Sequence, residues 1–150
     1  MRDWIITGIF LLFVIGGGTL AGTVNQPGQW YAELEKPFFN PPAWVFGPVW
    51  TVLYVMIAVA GARTWRREPA GLAMQLWFGQ LALNFLWTPV FFGLHMLGLA
   101  LAVVVLMLLL ILVYIVERWQ NDWLAALLFV PYAAWVSFAS LLNGTLYWLN

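Results

Sequence analysis

Long runs without a charge alternate with short polar punctuation along this chain. Residues 4–24, 43–62, 72–92, 97–116 and 123–149 contain no Asp, Glu, Lys, Arg or His. Each run matches the length of about 20 apolar residues that crosses a bilayer as a helix. With their polar ends added, the runs predict helices over 4–24, 43–65, 70–92, 97–117 and 122–149. The segment Leu99 to Val116 does not alternate between apolar and polar positions, which excludes a membrane β-barrel.

The punctuation fits this reading. Asn25-Gln26-Pro27-Gly28 is a turn signal, Pro69 suits the first turn of a helix, and Asp122 is a predicted N-cap. Gly93 stops the third run, and the short stretch to Met96 admits only an antiparallel hairpin. The first run is expected to stay uncleaved, because Asp3 cancels Arg2 and the run exceeds the 7–15 residues or so of a signal peptide core. Gly18 and Gly22 form a small-xxx-small pair suited to close helix packing, and Gly79 is a further close-packing candidate.

Composition agrees. Of the 150 residues, 64% are hydrophobic and 8% charged, too few charges for a water-facing surface. The expected fold is an all-α membrane protein, a single domain over 1–150 forming a bundle of five transmembrane helices in a lipid bilayer. Arg2, Arg63, Arg66, Arg67 and Arg118 fall on one side of such a bundle, and only Lys36 and His95 on the other. The positive-inside rule then places the N-terminus in the cytoplasm, in a bacterial cytoplasmic membrane. The zero net charge gives no sign of a nucleic-acid partner.

Several chemistries find no support. There is no cysteine and one histidine, hence no predicted metal site and no required cofactor. Runs without ionisable groups argue against an ion-coupled pump. Ser137 and Ser140 have no histidine base on their helix. His95 reads either as a hairpin residue at the membrane interface or as a ligand or gate.

The positive signal is aromatic. Among 11 Trp, 11 Phe and 5 Tyr, several Trp mark span ends, as in an interfacial belt. Phe46, Trp50 and Tyr54 instead recur every four residues on one helix face, as do Gln80, Asn84 and Thr88, and Trp135, Ala139 and Asn143. These polar stripes must turn away from lipid. They serve either interhelical hydrogen bonding or a ligand cavity with aromatic walls. Pro48, Pro89 and Pro131 are either tolerated or open space by kinking their helices.

The stretch Trp30 to Tyr54, WYAELEKPFFNPPAWVFGPVWTVLY, resembles the signature of the TspO/MBR family, which includes bacterial tryptophan-rich sensory proteins and the translocator proteins, or peripheral-type benzodiazepine receptors. The resemblance continues through NFLWTPVFFGLH (Asn84 to His95) and FVPYAAWVSFASLLN (Phe129 to Asn143). It implies a homodimeric five-helix bundle with a cavity for flat hydrophobic ligands, closed by a lid over 25–42. It implies a receptor or sensor for porphyrins, notably protoporphyrin IX, serving tetrapyrrole regulation or transport. Sterols and isoquinoline or benzodiazepine drugs bind some members. The alternative is an enzyme that degrades porphyrin in light, with Trp50 and Trp135 as the reactive pair.

Carried over by position, the family pocket falls on Tyr31, Pro41, Trp44, Phe46, Trp50, Tyr54, Asn84, Trp135, Ala139 and Asn143. The lid is expected to turn Trp30, Tyr31, Phe38 and Phe39 inward and Glu33, Glu35 and Lys36 outward, with prolines stiffening it. The sterol pattern of the family is incomplete here: no basic residue follows Leu146 and Tyr147.

Overall fold

A computed structural model describes residues 2–150. The described chain forms α1 (Arg2–Val24), α2 (Gln29–Ala32), α3 (Ala43–Arg67), α4 (Leu72–Thr88), a π-helical turn (Pro89–Gly93), α5 (Leu97–Trp119) and α6 (Trp123–Leu149). Helices α1, α3, α5 and α6 are each long and apolar enough to cross a membrane. The expectation of five spans is met only in that coarser form, because α4 stops after 17 residues. At 1.5 Å per residue it reaches about 26 Å, short of the roughly 30 Å hydrocarbon core.

Pro89 is the reason. It lacks an amide hydrogen, and its ring excludes the carbonyl four residues back. The chain widens instead of breaking, and Leu94 N–H donates to the Pro89 carbonyl at 2.8 Å, five residues away. Pro48 and Pro131, by contrast, sit within α3 and α6, which run on through them. The expected loop over 25–42 contains the single-turn helix α2.

The long helices form a ring in the order α1, α3, α6, α5, α4, with α4 returning to α1. Trp77 is fully buried at its centre and donates from Nε1 to the Ile57 carbonyl at 2.9 Å. A Cβ at Gly61 would come 2.4 Å from the Trp77 ring, so only glycine lets α3 approach it. Gly18 does the same for Tyr54, again at 2.4 Å, whereas Gly22 meets nothing within 4 Å. Only the first of the predicted glycine pair is thus a packing site.

One end of the ring is tied by ion pairs. Arg63 grips Asp122 with two hydrogen bonds, Nε to Oδ2 at 3.0 Å and Nη2 to Oδ1 at 2.8 Å. Arg67 lies 3.6 Å from the same carboxylate. Arg118, buried, pairs with Glu68 and Glu117, and Arg66 reaches Asp3. Asp122 occupies the N-cap position of α6, and both of its carboxylate oxygens accept from Arg63. Burial alone would raise its pKa; the Arg63 hydrogen bonds and the charges of Arg63 and Arg67 outweigh that and hold it below the usual carboxylate value.

Candidate functional site: an aromatic cavity

At the opposite end the helices part around a cavity of about 920 Å³. Every pocket residue expected from the sequence lines it except Trp44, which is 75% exposed and turned away. Trp44 lies in the first turn of α3, and the register that brings Phe46 inward carries it outward.

The predicted faces converge. Phe46 and Trp50 on α3 meet Trp135 on α6 edge-to-face, with ring centroids 5.8 and 6.4 Å apart. Tyr54 lies 5.5 Å from Trp50 and continues the wall. Across the cavity the π-helical turn presents Phe91 and Phe92, and Phe91 packs 4.7 Å from Trp87. The widened turn was not legible in the sequence, although Pro89 marks its start.

The polar residues are mostly spoken for. Asn143 accepts from Trp87 Nε1 and donates to the Leu97 carbonyl, both at 3.0 Å, tying α4, α5 and α6 together. Asn84 donates to the Tyr132 hydroxyl at 2.7 Å and accepts from the Tyr54 hydroxyl at 3.3 Å. Tyr132 in turn donates to Gln80 at 2.7 Å. Tyr132 escaped the sequence reading, and only its placement one turn before Trp135 and Val136 hinted at an inward face. Ser137 and Ser140 bond back to carbonyls of their own helix. Among the described residues no acidic, histidine or cysteine group is placed to hold a metal ion.

The segment 25–42 differs from expectation in two side chains. Phe38 is fully exposed rather than turned under, its ring edge on Phe39, which itself packs toward Phe138. Lys36 is half-buried and folds back on the segment: its ammonium donates to the Tyr31, Leu34 and Ala32 carbonyls at 2.7, 3.2 and 3.3 Å. It thereby caps α2, whose last carbonyls have no helical partner. It also lies 4.7 Å above the Tyr31 ring.

Trp30 and Tyr31 pack on Phe91, and two further contacts fasten this segment to the bundle. Trp30 stacks on His95 at 4.2 Å with the planes 8° apart. His95 is the one described non-glycine residue with positive φ, 58°, a consequence of the tight hairpin. At the other end Glu35 and Asn150 exchange two bonds: Glu35 N–H donates to Asn150 Oδ1, and Asn150 Nδ2 donates to the Glu35 carbonyl, each at 3.0 Å.

A model of the TspO/MBR family matches residues 9–149. The chain belongs to the TspO/MBR family. Protein CrtK of Rhodobacter capsulatus is 40% identical over 145 residues, covering 94% of this chain and 89% of that protein. The tryptophan-rich sensory protein of Cereibacter sphaeroides is 41% identical over 143 residues, with the same coverage. The human translocator protein is 40% identical over 120 residues, 77% of this chain and 71% of its own. Family membership and four long apolar helices make this an integral membrane protein.

Proposed function

We propose that the protein is a membrane receptor or sensor that captures porphyrins, protoporphyrin IX above all, in the aromatic cavity. The observation that carries this is the cavity itself: about 920 Å³, walled by Phe46, Trp50, Tyr54, Trp135 and Phe91, with most amides already bonded. That is the size and lining of a site for a large flat apolar molecule. Tyr31 and Pro41 contribute from the lid, and Ala139 leaves room where a larger residue would crowd Trp135. The lid over 25–42 closes the mouth, and its prolines limit the entropy lost on closure.

In this reading α4 and its π-helical turn together form a fifth span. The arginine end faces the cytoplasm of a bacterium, and the protein works as a homodimer. The relatives' names, tryptophan-rich sensory protein and translocator protein, support a sensing or carrying role. Protoporphyrin IX is expected to quench the intrinsic tryptophan fluorescence saturably, and Trp50→Ala to weaken that binding about tenfold, since it removes the ring joining Tyr54 to Trp135. An unchanged titration in the variant would remove the cavity assignment.

The juxtaposition of Trp50 and Trp135 favours a second reading, oxygen-dependent degradation of bound porphyrin in light. Illumination with excess porphyrin separates the two. Multiple turnovers to a defined product, lost in Trp135→Phe with binding retained, mark an enzyme, and a single event with oxidised tryptophan marks photodamage.

A further inference from the structure

Outside the aromatic cavity, a groove of about 260 Å³ runs over the surface where α1, the end of α3 and α4 meet. Its lining is wholly apolar: Ile6, Ile9, Phe10, Phe13, Trp65 and Phe78. Phe10 is the floor, buried 5.1 Å from the Trp77 ring and 6.2 Å from that of Trp65. Ile9, Phe13, Trp65 and Phe78 are exposed and form the rims. One end is shut. A Cβ at Gly17 would come 2.6 Å from the Phe85 ring, so α1 and α4 close on each other there. The other end leads to the arginines. Arg2, Ile6, Ile9 and Phe13 recur at i, i+4, i+7 and i+11, so an exposed arginine stands on the same face of α1 as the groove. Arg66 adjoins Trp65 and lies 3.7 Å from Asp3, long for a hydrogen bond. Arg63, Arg67 and Arg118 are held by Asp122, Glu68 and Glu117. Among the described residues Arg2 has no acidic partner, so two guanidiniums meet one carboxylate at this end.

We propose that this groove binds one anionic phospholipid, with an acyl chain lying between α1 and α4 and the phosphate between Arg2 and Arg66. The shape admits little else. From Ile6 to Phe13 the groove covers about 10 Å of helix, which gives a cross-section of about 25 Å², room for one hydrocarbon chain and too narrow for a helix of about 10–12 Å diameter. The charge selects among lipids. A zwitterionic lipid fills the groove equally well but gains nothing from the excess positive charge at its end, whereas an anionic headgroup does. None of the residues lining this groove lines the aromatic cavity, so the site stands independently of what that cavity holds.

The test is native mass spectrometry of the delipidated full chain in detergent, titrated with dioleoyl phosphatidylglycerol and with dioleoyl phosphatidylcholine. The first phosphatidylglycerol is expected to bind about fivefold tighter than the first phosphatidylcholine. In the double variant Arg2→Gln, Arg66→Gln that ratio should fall to near unity. Ile9→Trp, which fills the groove, should weaken the first binding of both lipids severalfold. Lysophosphatidylglycerol, with a single chain, should bind like the two-chain lipid, and glycerol phosphate, with none, should not bind. Equal affinities of the native chain for the two lipids overturn the proposal without any variant. So does a preference that persists in the folded double variant, first binding untouched by Ile9→Trp, or binding of glycerol phosphate alone. Loss of phosphatidylglycerol as a dimer forms gives this face to a second copy and also overturns it.

Discussion

The two ends of the bundle hold themselves together by opposite means. At the arginine end, α1, α3, α5 and α6 are joined by charges, and the Asp122 carboxylate is only 2% exposed between Arg63 and Arg67. At the cavity end the contacts are the packing of Trp30, Tyr31 and Phe39 on Phe91, His95 and Phe138, a pair of exposed amide hydrogen bonds and a lysine folded onto its own backbone. Between them lie Trp77, Tyr114, Phe129 and Tyr132, all fully buried. The cavity thus lies between an ion-paired end and an end closed by aromatic and amide contacts. On the proposed function, rigidity is concentrated where nothing passes and the weaker contacts lie where the chain would open to admit ligand.

The sharpest way to break this contrast is to remove the clamp. Asp122→Ala removes the two Arg63 hydrogen bonds but leaves both arginines within reach of water, and is expected to cost about 2 kcal/mol in unfolding stability. The measurement is thermal unfolding in detergent, with protoporphyrin IX affinity of the surviving folded protein unchanged. A fall in affinity as large as the fall in stability would show that the ends are not independent.

Acid acts on the same carboxylate more gently. Its folded pKa lies below the ordinary value, so its contribution to stability is fully present above the unfolded carboxylate range and is lost as pH falls through the folded value. The midpoint of unfolding should hold from pH 7 to about 5 and decline below about pH 4. Asp122→Asn should start lower and show a shallower decline, and parallel curves would assign the acid loss elsewhere.

The smallest expected effect is at the cavity end. Asn150→Ala removes both bonds to Glu35, worth about 1 kcal/mol together because they are exposed to solvent. Stopped-flow quenching should show porphyrin association and dissociation accelerated about fivefold with little change in Kd. Unaltered rates would mean that the lid is not what limits exchange.

The apolar runs, their approximate ends, the sidedness of the arginines and the inward faces of Phe46, Trp50 and Tyr54 were all legible from residue order. Lipid offers no partner for a backbone amide, so each spanning segment must satisfy its own, and local periodicity then states which way side chains point. Local pattern does not state how far one helix slides or turns against another. That placement decided that Trp44 and Phe38 face outward and that Lys36 folds back on α2. It also committed Asn143 to the scaffold, joined Gln80 to Asn84 through Tyr132, and set Tyr54 on Asn84, partners 30 to 52 residues apart in sequence. Such pairings are set by the close fit of whole helices, where a glycine at 61 or a proline at 89 shifts what every neighbour meets.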